Sequence, residues 1–177
     1  FSKLTGELRT RLGLPPTLRF AGEEWELWDE EELAIDLDAG IRGQYTRDIL
    51  LPGEKLYFGG SRYGRGYYSG EITGDRGFIA DLELGITRKN LLLSFDPIIR
   101  TDLTLYGFYN QGFAYDVDPD HPPRRRVESA GGGLRFDFER KLRMEVEYVR
   151  RAQRRPGGVG TDPLDRHAVY WRVGSQF

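Results

Sequence analysis

Apolar and polar side chains alternate along most of this chain. The clearest segment is Leu33 to Tyr45, whose apolar residues share one face while Asp36, Asp38 and Arg42 lie on the other. The same period of two recurs at 4–12, 78–86, 142–148 and 169–177, and less regularly at 101–113 and 127–138. Because successive side chains of a β-strand point to opposite faces, the pattern predicts an all-β, antiparallel fold with little helix.

An additional strand is predicted in Thr17–Trp28. Its alternation begins at Leu18 and Phe20 but shifts phase by Trp25 and Leu27. This segment brings the expected total to about eight strands, an even number of the kind that bacterial barrels prefer. Strand lengths of about 9–11 residues suit a tilted membrane crossing.

The predicted connections differ in length at the two ends of the sheet. One end carries the long connections 47–77, 116–126 and 151–166. The other end carries shorter ones at 29–32, 89–99 and Arg140–Lys141. Outer-membrane barrels have long outer loops and short periplasmic turns. The last strand is then expected to run down and end at the periplasm with Phe177.

A soluble antiparallel barrel or sandwich shows the same alternation. Two features favour a membrane barrel. The polar face of several strands carries two or more charges, which a dry core could not hold without pairing but a polar lumen could. Aromatic residues also lie near strand ends, as in interfacial girdles: Tyr45, Phe78, Tyr115, Tyr148 and Phe177. Residues 1–177 are therefore predicted to be one transmembrane β-barrel domain, which with about eight strands would form a small closed barrel.

The composition of the chain excludes several classes of partner and of structure. The 177 residues contain 26 basic and 28 acidic side chains, so the net charge of -2 gives no overall attraction to nucleic acid. The absence of cysteine excludes a disulfide or thiolate-metal scaffold. No apolar run reaches about 18 residues, so no transmembrane helix is expected. The chain begins at Phe1 without methionine, and we expect a processed or trimmed end there.

The stretch Phe58–Glu83 is rich in glycine and aromatic residues around one Arg-Gly-Tyr triplet, which indicates a tight path with close backbone approach. Ordered motifs run from this stretch into the following strands: Gly59-Gly60, Arg65-Gly66-Tyr67, Gly74-Asp75-Arg76-Gly77, Glu83-Leu84, Phe108-Tyr109-Asn110-Gln111-Gly112 and Ser129-Ala130-Gly131-Gly132-Gly133-Leu134-Arg135. Over about residues 33–177, the chain resembles the haemolysin secretion/activation family of two-partner secretion transporters. That family lies in the outer-membrane superfamily that also contains barrel-assembly proteins.

The resemblance implies a location in the Gram-negative outer membrane and a loop, here 47–77, that folds back into the barrel lumen. The loop arginine, here Arg65, would contact an acid that this chain replaces with Asn110. We therefore expect Arg65, beside Gly66 and Tyr67, to be held in a lock shared among Glu83, Asp81 and Asn110. The alternative is that the glycine-rich loop only plugs and stiffens the barrel.

Two functions follow. The resemblance implies a barrel with about twice as many strands, so the chain could be half of a 16-stranded barrel. It would then be the C-terminal half of a transporter that exports an unfolded partner polypeptide through a polar lumen. It could instead be a self-contained small barrel, or a homo-oligomer of half-barrels, that serves as a membrane scaffold or insertion element. An eight-stranded barrel is just wide enough for its own side chains, so it could not pass a polypeptide while closed.

No enzyme, cofactor or metal site is predicted. Asp116, Asp118, Asp120 and His121 lack the glycine and distal glutamate of a calcium loop, and a solvated loop is expected there. His121 and His167 have no metal-enzyme context, and no nucleophile elbow is present. Gly131–Gly133 is expected to leave room in the lumen for the inserted loop.

Basic residues cluster at two of the predicted outer loops: Arg124–Arg126, and Arg150, Arg151, Arg154 and Arg155. They could bind lipopolysaccharide phosphates by bidentate pairing. The alternative is a solvated face.

Overall fold

The computed structural model describes residues 1–15, 17–20, 23–26, 32–91, 100–118, 124–139, 141–156 and 162–175. Its main element is a seven-stranded antiparallel sheet. In their order across the sheet, the strands are β1 (Lys3–Leu14), β4 (Leu33–Thr46), β7 (Arg76–Arg88), β8 (Thr101–Tyr115), β9 (Arg125–Phe138), β10 (Leu142–Arg151) and β11 (His167–Ser175). The predicted all-β antiparallel fold is confirmed, although β8 has 15 residues and most strands exceed the expected length.

Two smaller sheets lie in the connections between these strands. β2 (Thr17–Phe20) and β3 (Glu23–Glu26) pair with each other in the connection between β1 and β4. β5 (Leu56–Phe58) and β6 (Ile72–Gly74) form a hairpin in the connection 47–75, which also contains a short 3-10 helix, Pro52–Glu54. The prediction of an eighth strand of the main sheet within Thr17–Trp28 was wrong, because the phase shift there corresponds to a separate two-stranded hairpin.

The strand register assigns every side chain of the main sheet to one of two faces. One row across the sheet joins Arg9, Gly40, Asp81, Asn110, Ser129 and Arg151, and the next joins Arg11, Asp38, Glu83, Phe108, Gly131 and Val149. We call the face that carries these rows the inner face. It collects the charged side chains that the alternation predicted on one side.

The outer face is apolar and exposed on all seven strands. Each strand contributes a large hydrophobic side chain that is at least two-fifths exposed: Leu8, Ile41, Leu82, Leu105, Leu134, Val146 and Trp171. A continuous apolar surface across a whole sheet marks a membrane or partner interface. Among the residues that the structure describes, no helical segment is long and apolar enough to cross a membrane.

β1 and β11 are the two ends of the sheet. Within the described part of the chain they are not paired with each other, so closure into a small barrel is not shown. Phe177, the expected periplasmic end of the last strand, lies outside the described residues.

The main hydrophobic core lies between the connection 47–75 and the inner face of the sheet. Leu56, Phe58, Tyr63, Tyr67 and Ile72 of the connection pack against Ile79, Ala114 and Val127 of β7, β8 and β9. The connection is therefore an integral layer of the fold, which places its glycine-rich tip over the charged part of the inner face.

Candidate functional site

The Arg-Gly-Tyr triplet forms the tip of the connection 47–75 and approaches β10 closely. Gly66 has a φ of 88°, a left-handed conformation that residues with a Cβ rarely adopt. A Cβ on Gly66 would lie 2.5 Å from Val149 Cγ1. Only glycine fits this position without displacing the tip, so the sequence Arg65-Gly66-Tyr67 fixes how near the loop comes to the sheet.

Arg65 is buried and paired with two carboxylates. Its Nη2 lies 2.5 Å from Glu83 Oε2 on β7, and its Nη1 lies 3.3 Å from Glu147 Oε2 on β10. Charge-assisted pairs of this kind are stronger than neutral hydrogen bonds. One loop side chain thereby connects two strands that are separated by β8 and β9 in the sheet.

Two aromatic rings of β8 support the same guanidinium. Arg65 Cζ lies 4.6 Å from the centre of the Phe108 ring and 5.8 Å from that of Tyr106. Contacts between a cation and a ring face are favourable, and more so when the cation is desolvated.

Glycines of β9 make room for these rings. A Cβ on Gly131 would lie 2.8 Å from the Phe108 ring, and one on Gly133 would lie 2.6 Å from the Tyr106 hydroxyl. The room predicted beside Gly131–Gly133 is therefore filled by β8 rings, which in turn contact the inserted Arg65.

The Gly66 carbonyl is held by two donors from the end of the sheet. Arg151 Nε and the Tyr170 hydroxyl, which lies 3.1 Å away, both donate to it. Arg151 Nη2 also donates to the Tyr170 hydroxyl at 2.7 Å. The tip is consequently fixed through its backbone to β10 and β11 as well as through the Arg65 side chain.

Tyr67 anchors the tip to the neighbouring connections. Its hydroxyl donates to the Glu128 carbonyl at 2.7 Å and accepts from the Gln153 backbone N–H at 3.2 Å. Burial raises the pKa of Tyr67, which stays a neutral donor at physiological pH. All three residues of the triplet are thus engaged.

The loop also reaches the first strand. The Tyr63 hydroxyl donates to Glu7 on β1 at 2.7 Å. Burial, together with this carboxylate, raises the pKa of Tyr63 to about 12. Because β1 and β11 end the sheet, the loop tip bridges its full width.

Asn110 and Asp81 lie side by side on the inner face but have different partners. Asn110 Oδ1 accepts a hydrogen bond from the backbone N–H of Arg65 at 3.0 Å. Asp81 Oδ2 is paired with Arg9 Nη2 of β1 at 2.9 Å. Of the three residues predicted to share Arg65, the structure brings Glu83 to the guanidinium and Asn110 to the backbone, whereas Asp81 pairs with Arg9.

Asp75 fastens the base of the loop. This fully buried carboxylate accepts from the backbone N–H groups of Leu50 at 3.0 Å and Val117 at 2.8 Å, and it is paired with Lys55. Burial by itself raises the pKa of Asp75, but the two N–H donors and Lys55 outweigh it, so the pKa lies below its ordinary value. Asp75 joins both ends of the connection 47–75 to the loop after β8.

Sequence reasoning missed Glu147, Arg151 and Tyr170. The inward direction of Glu147 and Tyr170 could be read from the alternation of 142–148 and 169–177, whereas Arg151 was expected in an outer loop and instead ends β10 on the inner face. Their partners could not, because pairing with Arg65 and Gly66 depends on sheet register and on the depth of the loop.

The described residues hold no group of acids and histidines suited to a metal ion. Asp116 is paired with Lys55 Nζ at 2.9 Å and with Arg125, and His167 stacks on Tyr148. Asp120 and His121 lie outside the described residues.

Fold and site together define a sheet with an apolar outer face and a glycine-rich loop fixed on a charged inner face. The family model for the haemolysin secretion/activation protein ShlB/FhaC/HecB matches residues 27–135, which is more than half of the chain and includes every motif from Gly59 to Arg135. The chain belongs to this family. A comparison with curated proteins gave no match.

Membership in this family fixes the general class of the protein. The family consists of two-partner secretion transporters, not enzymes, and its members lie in the outer membrane of Gram-negative bacteria. The chain is accordingly an outer-membrane protein, and its family implies a secreted polypeptide as partner.

Proposed function

We propose that this chain forms part of a transmembrane β-barrel that exports a partner polypeptide, with the loop 47–75 as its lumen gate. The observation that carries the proposal is the attachment of Arg65 to β7 and β10. A loop that only filled space would need apolar packing alone. The ion pairs instead give it a defined closed position that can be released.

The proposed direction follows from the connections. In the barrel, the end that carries 47–75, 116–124 and 152–166 faces outward, and the hairpin β2–β3 faces the periplasm. Within the described residues, β1 and β11 each have one edge without a strand partner. We expect these edges to pair with further strands, because open sheet edges are not tolerated in lipid. Seven strands then supply about half of a wide barrel.

Planar-bilayer conductance of the purified chain tests the gate. We expect ion conductance that rises in Arg65→Ala, because this variant releases the tip from Glu83 and Glu147. Arg88→Ala is the matched control, since Arg88 forms an exposed ion pair with Glu32 at 2.8 Å. Equal conductance of Arg65→Ala and the wild type would contradict a gating role.

The second candidate is a membrane scaffold or insertion element, as a small barrel or as a homo-oligomer of half-barrels. It is favoured by the two sheet edges that lack a partner strand in the described part of the chain, which a second copy could cover. Molar mass in detergent, measured by light scattering, separates the candidates when combined with conductance. A non-conducting monomer would reject transport by this chain alone.

Lipopolysaccharide contact is proposed for only part of the basic clusters. Arg151 and Arg125 are used inside the fold, by Gly66 and by Asp116 respectively. Arg124 stacks on Phe113 of the outer face at 4.2 Å, and Arg150 and Arg166 line a depression of about 340 Å³ beside Tyr109.

These outward guanidiniums suit lipid phosphates at the proposed outer rim. Arg124→Gln combined with Arg150→Gln should reduce the lipopolysaccharide that copurifies with the chain, whereas Arg88→Gln should not. If the double variant copurifies with as much lipopolysaccharide as the wild type, these arginines do not bind it.

A further inference from the structure

A groove of about 860 Å³ lies beneath the loop tip on the inner face. It is lined by Arg9 and Arg11 of β1, by Arg172 of β11, and by Arg62 and Arg65 of the loop. Both end strands of the sheet therefore contribute to one concave surface, for which the loop tip forms a wall.

The charges in this groove are layered. The carboxylates lie deep: the side chains of Asp38 and Glu145 are 12% and 11% exposed. The arginines paired with them reach outward, with Arg11 71% and Arg172 43% exposed. The shorter acids stay near the strands, whereas the longer arginine side chains extend over them.

This layering leaves donors facing the groove. A guanidinium has five N–H donors, and Arg11 and Arg172 are each paired on one side with carboxylates below them. Both side chains line the groove and remain exposed, so their guanidinium groups are accessible to a ligand that enters it. Carboxylates match guanidinium geometry in a bidentate manner, so the chemistry that fits is acidic.

We propose that this groove binds acidic, extended polypeptide segments. The inference rests on the proposed passage of a polypeptide and adds its preferred chemistry: aspartate and glutamate side chains would move from one outward guanidinium to the next. The buried acids keep the guanidiniums in place and limit the affinity for any one carboxylate.

Equilibrium binding to the full chain in detergent tests this proposal. The probe is a fluorescein-labelled peptide of alternating aspartate and serine, about twelve residues and hence about 40 Å when extended. The control is a fluorescein-labelled peptide of alternating lysine and serine with the same length. We expect the acidic peptide to bind at least about tenfold more tightly, and its binding to weaken several-fold between about 50 and 300 mM salt.

Arg11→Gln combined with Arg172→Gln should weaken acidic-peptide binding about three- to tenfold. These sites suit the test because Asp38 keeps Arg9 and Glu145 keeps Arg135 as partners. Arg88→Gln, in an exposed ion pair outside the groove, should leave binding unchanged.

Equal binding of the two peptides, or no effect of the double variant, would overturn the inference. So would competition by free aspartate as effective as that of the peptide, which would assign the groove to small anions. A chain that binds the acidic peptide but conducts no ions would support the groove while rejecting the pore. A chain that conducts ions but binds the acidic and basic peptides equally would support the pore and reject the proposed specificity of the groove.

Discussion

Glu147 on β10 accepts a hydrogen bond from Arg65 of the loop at 3.3 Å, although 81 residues of chain separate them. The Glu147 carboxylate lies almost fully inside the protein, beneath the loop tip. Its inward position follows from the strand alternation, but its proximity to Arg65 depends on the register from β7 to β10 and on how deeply the loop tip enters.

Arg65→Ala should strongly destabilise the docked loop. It leaves Glu83 and Glu147 without their shared cation, and removing one partner of a buried pair costs about 3–5 kcal/mol. Glu147→Gln should cost less, because Glu83 still holds Arg65. Urea unfolding followed by tryptophan fluorescence measures both changes.

Arg65→Ala combined with Glu147→Gln should lower the free energy of unfolding by less than the sum of the two single changes, since both remove the same contact. Arg88→Ala controls for the loss of an exposed arginine and should cost about 0–1 kcal/mol. Strict additivity would show that Arg65 and Glu147 do not interact.

Gly66→Ala should displace the loop tip. A left-handed conformation costs a residue with a Cβ about 1–2 kcal/mol, and the new methyl would meet Val149. Hydrogen exchange in residues 59–70 should therefore increase.

Gly53→Ala is the matched control, because a Cβ there meets nothing within 4 Å. It should leave exchange in residues 59–70 at the wild-type rate. If both variants exchange alike, the close approach of Gly66 to β10 does not hold the tip.

Much of the fold could be predicted from alternation, and its failures have physical causes. Leu33–Tyr45 predicted β4 to within one residue, because each strand has one apolar and one charged face. The segment 17–28 was mistaken for a single strand, since alternation does not distinguish a phase shift within one strand from a short hairpin.

The candidate site was predictable only in part. The glycine-rich sequence identified the loop, and the register brings Asp81, Glu83 and Asn110 to the inner face as expected. The choice of Glu83 and Glu147 for the guanidinium depends on how deeply the tip enters. That depth is set by Gly66 against Val149, a contact that no local pattern encodes.

Asp75→Asn should weaken the base of the loop and flatten its acid dependence. The folded pKa of Asp75 lies below the ordinary value of 3.8, so its carboxylate stabilises the fold fully above that pH. This contribution is lost as the pH falls through the folded pKa. Urea unfolding between about pH 7 and pH 3 should show a steeper acid loss for the wild type than for Asp75→Asn.

Asp48→Asn is a suitable control, because Asp48 belongs to the same connection but lies at its exposed start. At pH 7 its variant should lower the free energy of unfolding less than Asp75→Asn does, because Asp48 is exposed and Asp75 is fully buried. Parallel pH profiles for Asp75→Asn and the wild type would contradict the anchoring role of the ionised carboxylate.

Leu82→Arg should block stable insertion of the sheet into lipid. Leu82 lies near the middle of β7 on the outer face and is 45% exposed, so water alone would tolerate the change. An arginine facing the bilayer midplane costs about 2–4 kcal/mol. Folding into lipid vesicles, followed by the mobility shift of unheated samples on gels, should therefore fall, while folding in detergent is affected less.

Leu51→Arg makes the same chemical change at an exposed position of the connection 47–75. It should insert like the wild type, since surface substitutions away from packed features usually change stability by less than about 0.5 kcal/mol. Normal insertion of Leu82→Arg would mean that the apolar outer face meets something other than lipid. Failure of Leu82→Arg alone would assign that face to the membrane, because only its side chain has to enter hydrocarbon.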